Sequence, residues 1–401
     1  MNIPSFNLDW EEQDHKVITS LYTHEKEKPK ELRHKVFQVN GTDWTSWTMR
    51  DSLYKKHRYP TQARGLFTSR RSNGKYTVNV RGYDKFFNIN ETDATQWHAL
   101  EKDTKGPYEI TAKENGCIIF IAAISNTEIV ATSKHMIPDP LTGGTSHGGI
   151  GYRWALEHLD SVGRTPEELA AWLFKYRVTM VAELCDDEFE EHIVPYRTLE
   201  ERGLYLHGIN YNTTTLHTLP MQTVRSVAHY FGLRTVDTKM MDDLGSVRQL
   251  ADSIQQNTTG IFDWMDNNNS RESEGIVVRC QQQQHDFFFK VKNDTYLMYR
   301  EYREVTKALV QVNVDHHSTL SVSIKQPKSN TKKPKVRFEK TLYYVHWLEQ
   351  RVKDHPEWFK DYLHNKGIVA VRQAFEQDWQ DGKITHLDDR DLNRLVERDT
   401  K

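Results

Sequence analysis

The chain has 401 residues, 37% hydrophobic and 27% charged, with a formal net charge of -2. That balance supports roughly two to three domains with sizeable cores and excludes a disordered chain. It also excludes a globally basic surface, so any nucleic-acid contact must be a local patch.

No apolar stretch approaches the roughly 20 residues that cross a bilayer, and residues 1–12 lack the apolar core of a signal peptide. Cys117, Cys185 and Cys280 have no metal-ligand spacing. They read as small buried hydrophobes in a reducing compartment, cytoplasmic or nuclear. In chain order, β-rich runs at 75–83, 117–124, 128–135, 178–185, 204–210, 275–280 and 286–292 predict strands. Helical spacing at 151–162, 166–177, 218–232 and 246–257 predicts helices between them, several opening on Ser, Thr or Pro. Neighbouring runs joined by short turns, as at 123–128, favour an antiparallel sheet, because parallel neighbours need helical crossovers.

The glycine-rich stretch 143–151 lacks the lysine of a phosphate loop and reads as a flexible connection. The Gln281–Gln284 and Asn267–Asn269 tracts read as polar tips. Beyond about residue 296, helical periodicity dominates at 296–312, 340–354, 367–379 and 388–398, and 319–324 is the one alternating run. The expectation is an α+β protein: an antiparallel-sheet domain over 1–295, then an all-helical C-terminal domain over 296–401 carrying a mobile basic loop at 325–340.

Chemistry concentrates in a few motifs. Lys113-Glu114-Asn115-Gly116 stands directly before an apolar strand. Alone, it is an ordinary lysine beside a turn. It is joined by Glu183 inside an apolar run, by Glu274-Gly275 opening another, and by Lys290-Val291-Lys292. An acid within a strand must be paired or functional. Lysines at i and i+2 share a face, so Lys290 and Lys292 can converge on one phosphate beside Lys113. The flanking Phe287 to Phe289 argue against a merely solvated, lysine-studded edge.

To attack a phosphate, Lys113 must lose a proton, and burial with cationic neighbours is expected to lower its pKa. Glu274 and Glu183 are the candidate ligands for Mg²⁺ or Mn²⁺, which need only one or two carboxylates plus phosphate oxygens. Arg64 and Lys85, the latter leading through two phenylalanines to Asn88, suit a triphosphate tail, as does Lys134 at a strand end. The acids Asp186, Asp187, Glu188, Glu190 and Glu191 read as a solvated turn or a second metal site.

Taken in order, these motifs resemble the covalent nucleotidyltransferase superfamily of DNA ligases, RNA ligases and mRNA capping enzymes. More narrowly, segments 63–67, 81–88, 113–120, 183–187, 189–193, 203–208 and 296–300 resemble the ligase (adenylyltransferase) domain of fungal tRNA ligases. The resemblance implies an ATP-dependent RNA ligase of the tRNA-splicing type. Lys113 would take AMP from ATP as lysyl-AMP and pass it to an RNA 5′-phosphate, and a 3′-hydroxyl would then displace it. Lys290, Lys292, Glu274 and Glu183 would complete the catalytic set, and Arg64, Lys85, Asn88, Gly116 and Lys134 would hold ATP.

The resemblance further implies an acceptor end bearing a 2′-phosphate. Arg300 and Arg303, at i and i+3 on a predicted helix with Lys307 one turn on, form a cationic stripe for it. Glu301 and Glu304 leave open a surface ion-pair helix. The implied partners are tRNA exon halves, together with kinase and cyclic phosphodiesterase activities. The chain shows neither a Gly-x₄-Gly-Lys-Ser/Thr loop nor paired His-x-Ser/Thr units, so those activities are expected to be separate or fused, and the chain to be a monomer. Two alternatives stay open: an RNA guanylyltransferase using GTP, and a catalytically silent RNA-binding module.

Overall fold

The computed structural model describes residues 2–262, 271–314, 320–325, 332–384, 387 and 393–399. Strands β1 (Leu32–Val39), β2 (Thr42–Met49), β3 (Leu66–Arg70) and β4 (Tyr76–Arg81) form an antiparallel sheet in that order. Helix α1 (Trp10–Glu27) lays Val17, Ile18 and Leu21 into its core. Polar ties to distant chain help fix this helix: Glu11 bonds Arg71 at 2.9 Å, and Asp14 accepts from the amide and hydroxyl of Thr214 at 2.7 and 2.8 Å.

The centre of the molecule is built from two five-stranded sheets. One runs β12-β6-β15-β16-β5. It comprises β5 (Phe87–Asn88), β6 (Thr104–Ala112), β12 (Thr238–Met241), β15 (Gly275–Gln282) and β16 (His285–Lys292). The other runs β11-β10-β9-β7-β8, comprising β7 (Cys117–Ala123), β8 (Ile129–Thr132), β9 (Val178–Cys185), β10 (Gly203–Tyr211) and β11 (Arg234–Thr235). Pairing is antiparallel, as the short turns predict, except for the two-residue additions β5 and β11.

Helices α3 (His147–Ser161), α4 (Pro166–Tyr176) and α5 (Met221–Tyr230) cover the second sheet, and α2 (Trp97–Asp103) and α6 (Leu244–Gln256) the first. Between the sheets lies a layer of Phe67, Val80, Tyr83, Phe120, Val181 and Phe288.

The stretch 143–151 is not simply a flexible connection. Ser146 caps α3 by accepting from the Gly149 amide at 3.2 Å, and residues 147–151 are helical. Glycines that weaken a helix in isolation are needed here for close approach. A Cβ on Gly148 would stand 2.7 Å from the Ala131 carbonyl, and one on Gly151 would stand 2.8 Å from Ile119.

The C-terminal part is not all-helical either. Helices α7 (Asp294–Leu309), α8 (Glu339–Asp354) and α9 (Ile368–Gln380) are accompanied by a hairpin of β17 (Val310–Val314) and β18 (Leu320–Ile324). Short pairs β13 (Ile261–Phe262) with β14 (Arg271–Glu272), and β19 (Lys335–Val336) with β20 (Glu397–Arg398), add further strand. Alternating valines at 310, 312 and 314 are strand formers that a helical reading passes over. Of the expected features, the asparagine tract, residues 326–331 of the basic loop and residues 388–392 lie outside the described residues. The core here is aromatic: Tyr302 stacks on Tyr344 with centroids 4.3 Å apart, and Phe375 meets both edge-on. Among the described residues no helix is long and apolar enough to cross a membrane.

Candidate active site

Side chains alternate along strands, so the register of β6, β15 and β16 sets what faces the gap between the two sheets. One row is Thr111, Val277 and Lys290, and the next, deeper row ends in Arg279 and Phe288. Lys113 directly follows β6, its amide bonded to the Gly275 carbonyl at 2.9 Å. From the facing sheet come Gly116, Ile118 and Phe120 of β7, Glu183 of β9 and His207 of β10. Together they enclose a pocket of about 320 Å³, within the size range of small-molecule sites.

Its charged end is tightly organised. Glu274, 3% exposed, receives Lys292 at 2.6 Å, Lys113 at 3.1 Å and the Asn115 amide at 3.0 Å. Burial alone would raise the Glu274 carboxyl, but the two ammonium groups outweigh it and hold it down at about 2. For Lys113 burial acts downward, yet Glu274 and Glu183 prevail and its pKa is raised. The expectation of an uncharged amine is therefore corrected: among these groups the lysine is held as ammonium by its carboxylates. Lys290 behaves as expected of the nucleophile instead, pushed down to about 7 by burial and by the charges of Lys292 and Lys113.

The loop carrying Lys113 is braced from behind. Glu114 is 4% exposed. It accepts a two-pronged bond from Arg271 and the Tyr196 hydroxyl at 2.6 Å. Asn115 accepts from the amides of Ile193 and Val194 at 2.9 and 3.1 Å, and donates to the Tyr296 hydroxyl at 3.0 Å. Gly116 donates its amide to Glu183 at 3.1 Å, and a Cβ there would meet the Leu184 carbonyl at 2.1 Å. Tyr196, Arg271, Tyr296 and His207 were not legible as site residues. The partners of Tyr196, Arg271 and Tyr296 lie about 80 to 180 residues away, and a bulge between Leu206 and Gly208 shifts the register at His207.

Two of the three cations expected to hold the triphosphate line the pocket, Arg64 and Lys134. Burial lowers Lys134, and Arg64 and Lys85 add to the effect. Lys85 is likewise lowered by burial and Arg64, so the three form one electropositive corner. The Arg64 Nε is buried and has no hydrogen-bond partner among the described residues. Asn88 does not join this corner: its side chain and amide serve Glu91 at 2.8 and 2.9 Å. Two-residue strand β5 holds it there by pairing with Lys290.

Along α7, Arg303 pairs with Glu304 at 2.7 Å, Lys307 bonds Asn365, and exposed Arg300 lies near enough to Lys292 to lower its pKa further. Glu301 turns away to the amides of Arg337 and Phe338. The acids at 186–191 are not a solvated turn. Glu191 accepts from the amides of Gly367 and Val369 at the start of α9, where a helix N-terminus favours negative charge. Lys366 donates to the Asp187 carbonyl at 2.9 Å and to that of Glu188 at 2.5 Å. Asp187, raised to about 6 chiefly by burial, accepts from the Tyr196 amide at 2.9 Å.

Comparison with known proteins places the chain in a family. A family model described as RNA ligase matches residues 62–297. The chain is 39% identical over 377 residues to tRNA ligase 1 of Schizosaccharomyces pombe (strain 972 / ATCC 24843), covering 87% of this chain and 45% of that protein. It is 37% identical over 359 residues to a tRNA ligase of Candida albicans (strain SC5314 / ATCC MYA-2876), covering 83% and 40%. The chain thus spans less than half the length of these relatives. Among solved structures an archaeal ATP-dependent RNA ligase, form 1, superposes with a TM-score of 0.50 at 15% identity, covering 95% of this chain and 83% of that one. On the match of the family model across more than half its length, the chain belongs to the RNA ligase family.

Proposed function

We propose that this chain is an ATP-dependent RNA ligase of the tRNA-splicing type. The observation that carries the reading is the grouping of Lys113, Glu274, Lys290 and Lys292 at one end of a pocket that also presents apolar and aromatic side chains, Ile118, Phe120, Val277 and Phe288 among them. Ile118, Val277 and Phe288 would offer the apolar surface for the nucleoside, and Arg64 and Lys134, with Lys85 beside them, would hold the phosphates. Lys113 Nζ forms a bond to the α-phosphorus as pyrophosphate leaves, giving lysyl-AMP. An RNA 5′-phosphate then takes the AMP, and a 3′-hydroxyl displaces it to seal the strand.

Lys113 must shed a proton first. Glu274, held at about 2, is too weak a base to keep it. Lys290, at about 7, is the neighbour able to take one near neutrality, and its charge then favours the incoming phosphate. A divalent ion, Mg²⁺ or Mn²⁺, suits Glu183 better than Glu274. Both Glu274 oxygens are already engaged, whereas one Glu183 oxygen faces His207 at 3.7 Å among the described residues. Bound there with phosphate oxygens, the ion would supply positive charge to the reacting phosphates.

Arg300, Arg303 and Lys307 are proposed to hold the 2′-phosphate of the acceptor end. The 1–295 region would then carry adenylyl transfer and 296–401 the grip on that end, with tRNA exon halves as substrates and healing activities supplied elsewhere. Joining assays on paired RNA ends test this. Ligation with ATP of a 3′-hydroxyl, 2′-phosphate end to a 5′-phosphate end is expected. Equal joining of ends lacking the 2′-phosphate, or dependence on GTP, would contradict it.

A further inference from the structure

The electropositive corner of Arg64, Lys85 and Lys134 is held partly by chain outside residues 62–297, the stretch that the family model matches. A 3₁₀ helix, Asp51–Lys56, buries Leu53 and Tyr54. Both enter the hydrophobic cluster that also contains Ala63, Leu66 and Phe87. Ala63 and Leu66 flank Arg64, and Phe87 follows Lys85 by two residues. One core therefore fixes the N-terminal sheet and the corner together.

The Arg64 backbone is set by its amide, which donates to the Tyr83 carbonyl at 2.8 Å. The guanidinium is steadied in another way. Its Cζ stands 5.8 Å from the centroid of the Tyr54 ring, inside the ~6 Å over which an aromatic face attracts a cation. Tyr54 is 3% exposed, so little water competes for that face. The Arg64 Nε is buried with no hydrogen-bond partner among the described residues, a donor left unsatisfied until a phosphate oxygen arrives. A ring face orients a guanidinium without cancelling its charge, whereas a carboxylate partner would neutralise what a phosphate needs.

We infer that Tyr54 is a positioning residue for the departure of pyrophosphate, aiming Arg64 at the β- and γ-phosphates of ATP. Under the ligase reading, on which this role rests, the Lys113 Nζ–phosphorus bond forms as the α-phosphorus parts from its bridging oxygen. Pyrophosphate leaves with the electron pair, and a guanidinium already in place stabilises the charge that builds on it. Pyrophosphate takes no part in the two later steps, so Tyr54 belongs to the first alone. Two acids border the corner. Asp84 is paired with Arg81 at 2.8 Å. Asp51, from the same 3₁₀ helix as Tyr54, acts upward on Lys85 and Lys134, but burial and the neighbouring cations outweigh it.

Two substitutions in the full chain test the role. Tyr54→Leu keeps an apolar side chain in the core and removes the ring, whereas Tyr54→Phe keeps the ring. In lysyl-AMP formation, kcat/KM for ATP is expected to fall about 10-fold in Tyr54→Leu and to recover in Tyr54→Phe. Discharge of lysyl-AMP by added pyrophosphate, which retraces the step, should slow by a similar factor. Joining of pre-adenylylated RNA ends, which needs no ATP, should match the wild type. Equal loss of ATP-dependent and pre-adenylylated joining would make Tyr54 a purely structural residue and overturn the inference. An unchanged ATP dependence in Tyr54→Leu, or a Tyr54→Phe defect as large as that of Tyr54→Leu, would overturn it too. If the wild-type chain forms no lysyl-AMP, the ligase reading itself fails and takes this role with it.

Discussion

At the scale of single residues, one carboxylate holds two lysines whose chemistry must differ. Glu274 pairs with both Lys113 and Lys292, while burial and these two cations push Lys290 down to about 7. Glu274→Gln removes a preorganised charge, and lysyl-AMP formation is expected to fall about 100-fold or more in a single-turnover assay. The same residue leaves an acid signature. Its folded pKa of about 2 lies below the ordinary 4.5, so its contribution is complete above pH 4.5 and is lost as pH falls from there toward 2. Melting curves should show the gap between wild type and Glu274→Gln narrowing over that window.

Lys290 has the opposite sign. Its pKa is depressed from 10.5 to about 7, so the unfolded chain binds more protons between those values, and the strain on folding is full below pH 7 and relieved above it. Lys290→Met is expected to raise the melting temperature by about 2 °C at pH 7 and to impair phosphate chemistry. A lower melting temperature at pH 7 would count against a charged, strained Lys290.

At the scale of elements, the lysine loop is held by chain that sequence places far away. Arg372 of α9 donates to the Ile193 carbonyl at 2.9 Å and pairs with Glu272 at 3.0 Å. The Ile193 amide reaches Asn115, and Asn115 reaches Glu274. Arg372→Ala should therefore slow lysyl-AMP formation although the residue lines no part of the pocket. Comparison of adenylylation rate with melting temperature decides, since a residue serving stability alone would change only the latter.

This relay also marks what the sequence could and could not disclose. Strand β9 and helices α4 and α6 were legible to within about two residues because their periodicity and flanking residues agree. The motif lysines and acids were legible through spacing within one element. Strand β6, which carries Lys113 at its end, was hidden by Lys105-Gly106-Pro107, residues that read as loop. The first 60 residues, with α1, β1 and β2, were silent because no motif marks them. The acids at 186–191 were misread because the groups that claim them, Lys366 and the start of α9, arrive about 175 residues later.

At the scale of the whole molecule, a net charge of -2 leaves RNA binding to local cations rather than to an overall field. Phosphate contacts release counterions, and each one lost should reduce the slope of log affinity against log salt by about 1. Arg300→Ala and Arg303→Ala are expected to do so for RNA with a 2′-phosphate while leaving lysyl-AMP formation intact, measured by binding over a salt series. An unchanged slope in both variants would remove the α7 stripe from the RNA path. The acid run at 186–191 fastens the C-terminal helices to the strand carrying Glu183, so the two proposed functions would share one frame.

Covalent attachment of AMP to Lys113 is the step on which the proposed ligation depends. Incubation with α-labelled ATP and a divalent metal, followed by peptide mapping of the acid-labile adduct, tests it most directly. The label is expected on the peptide containing Lys113, absent from Lys113→Ala and absent when GTP replaces ATP. A label on any other residue, or one that survives in Lys113→Ala, would contradict the account.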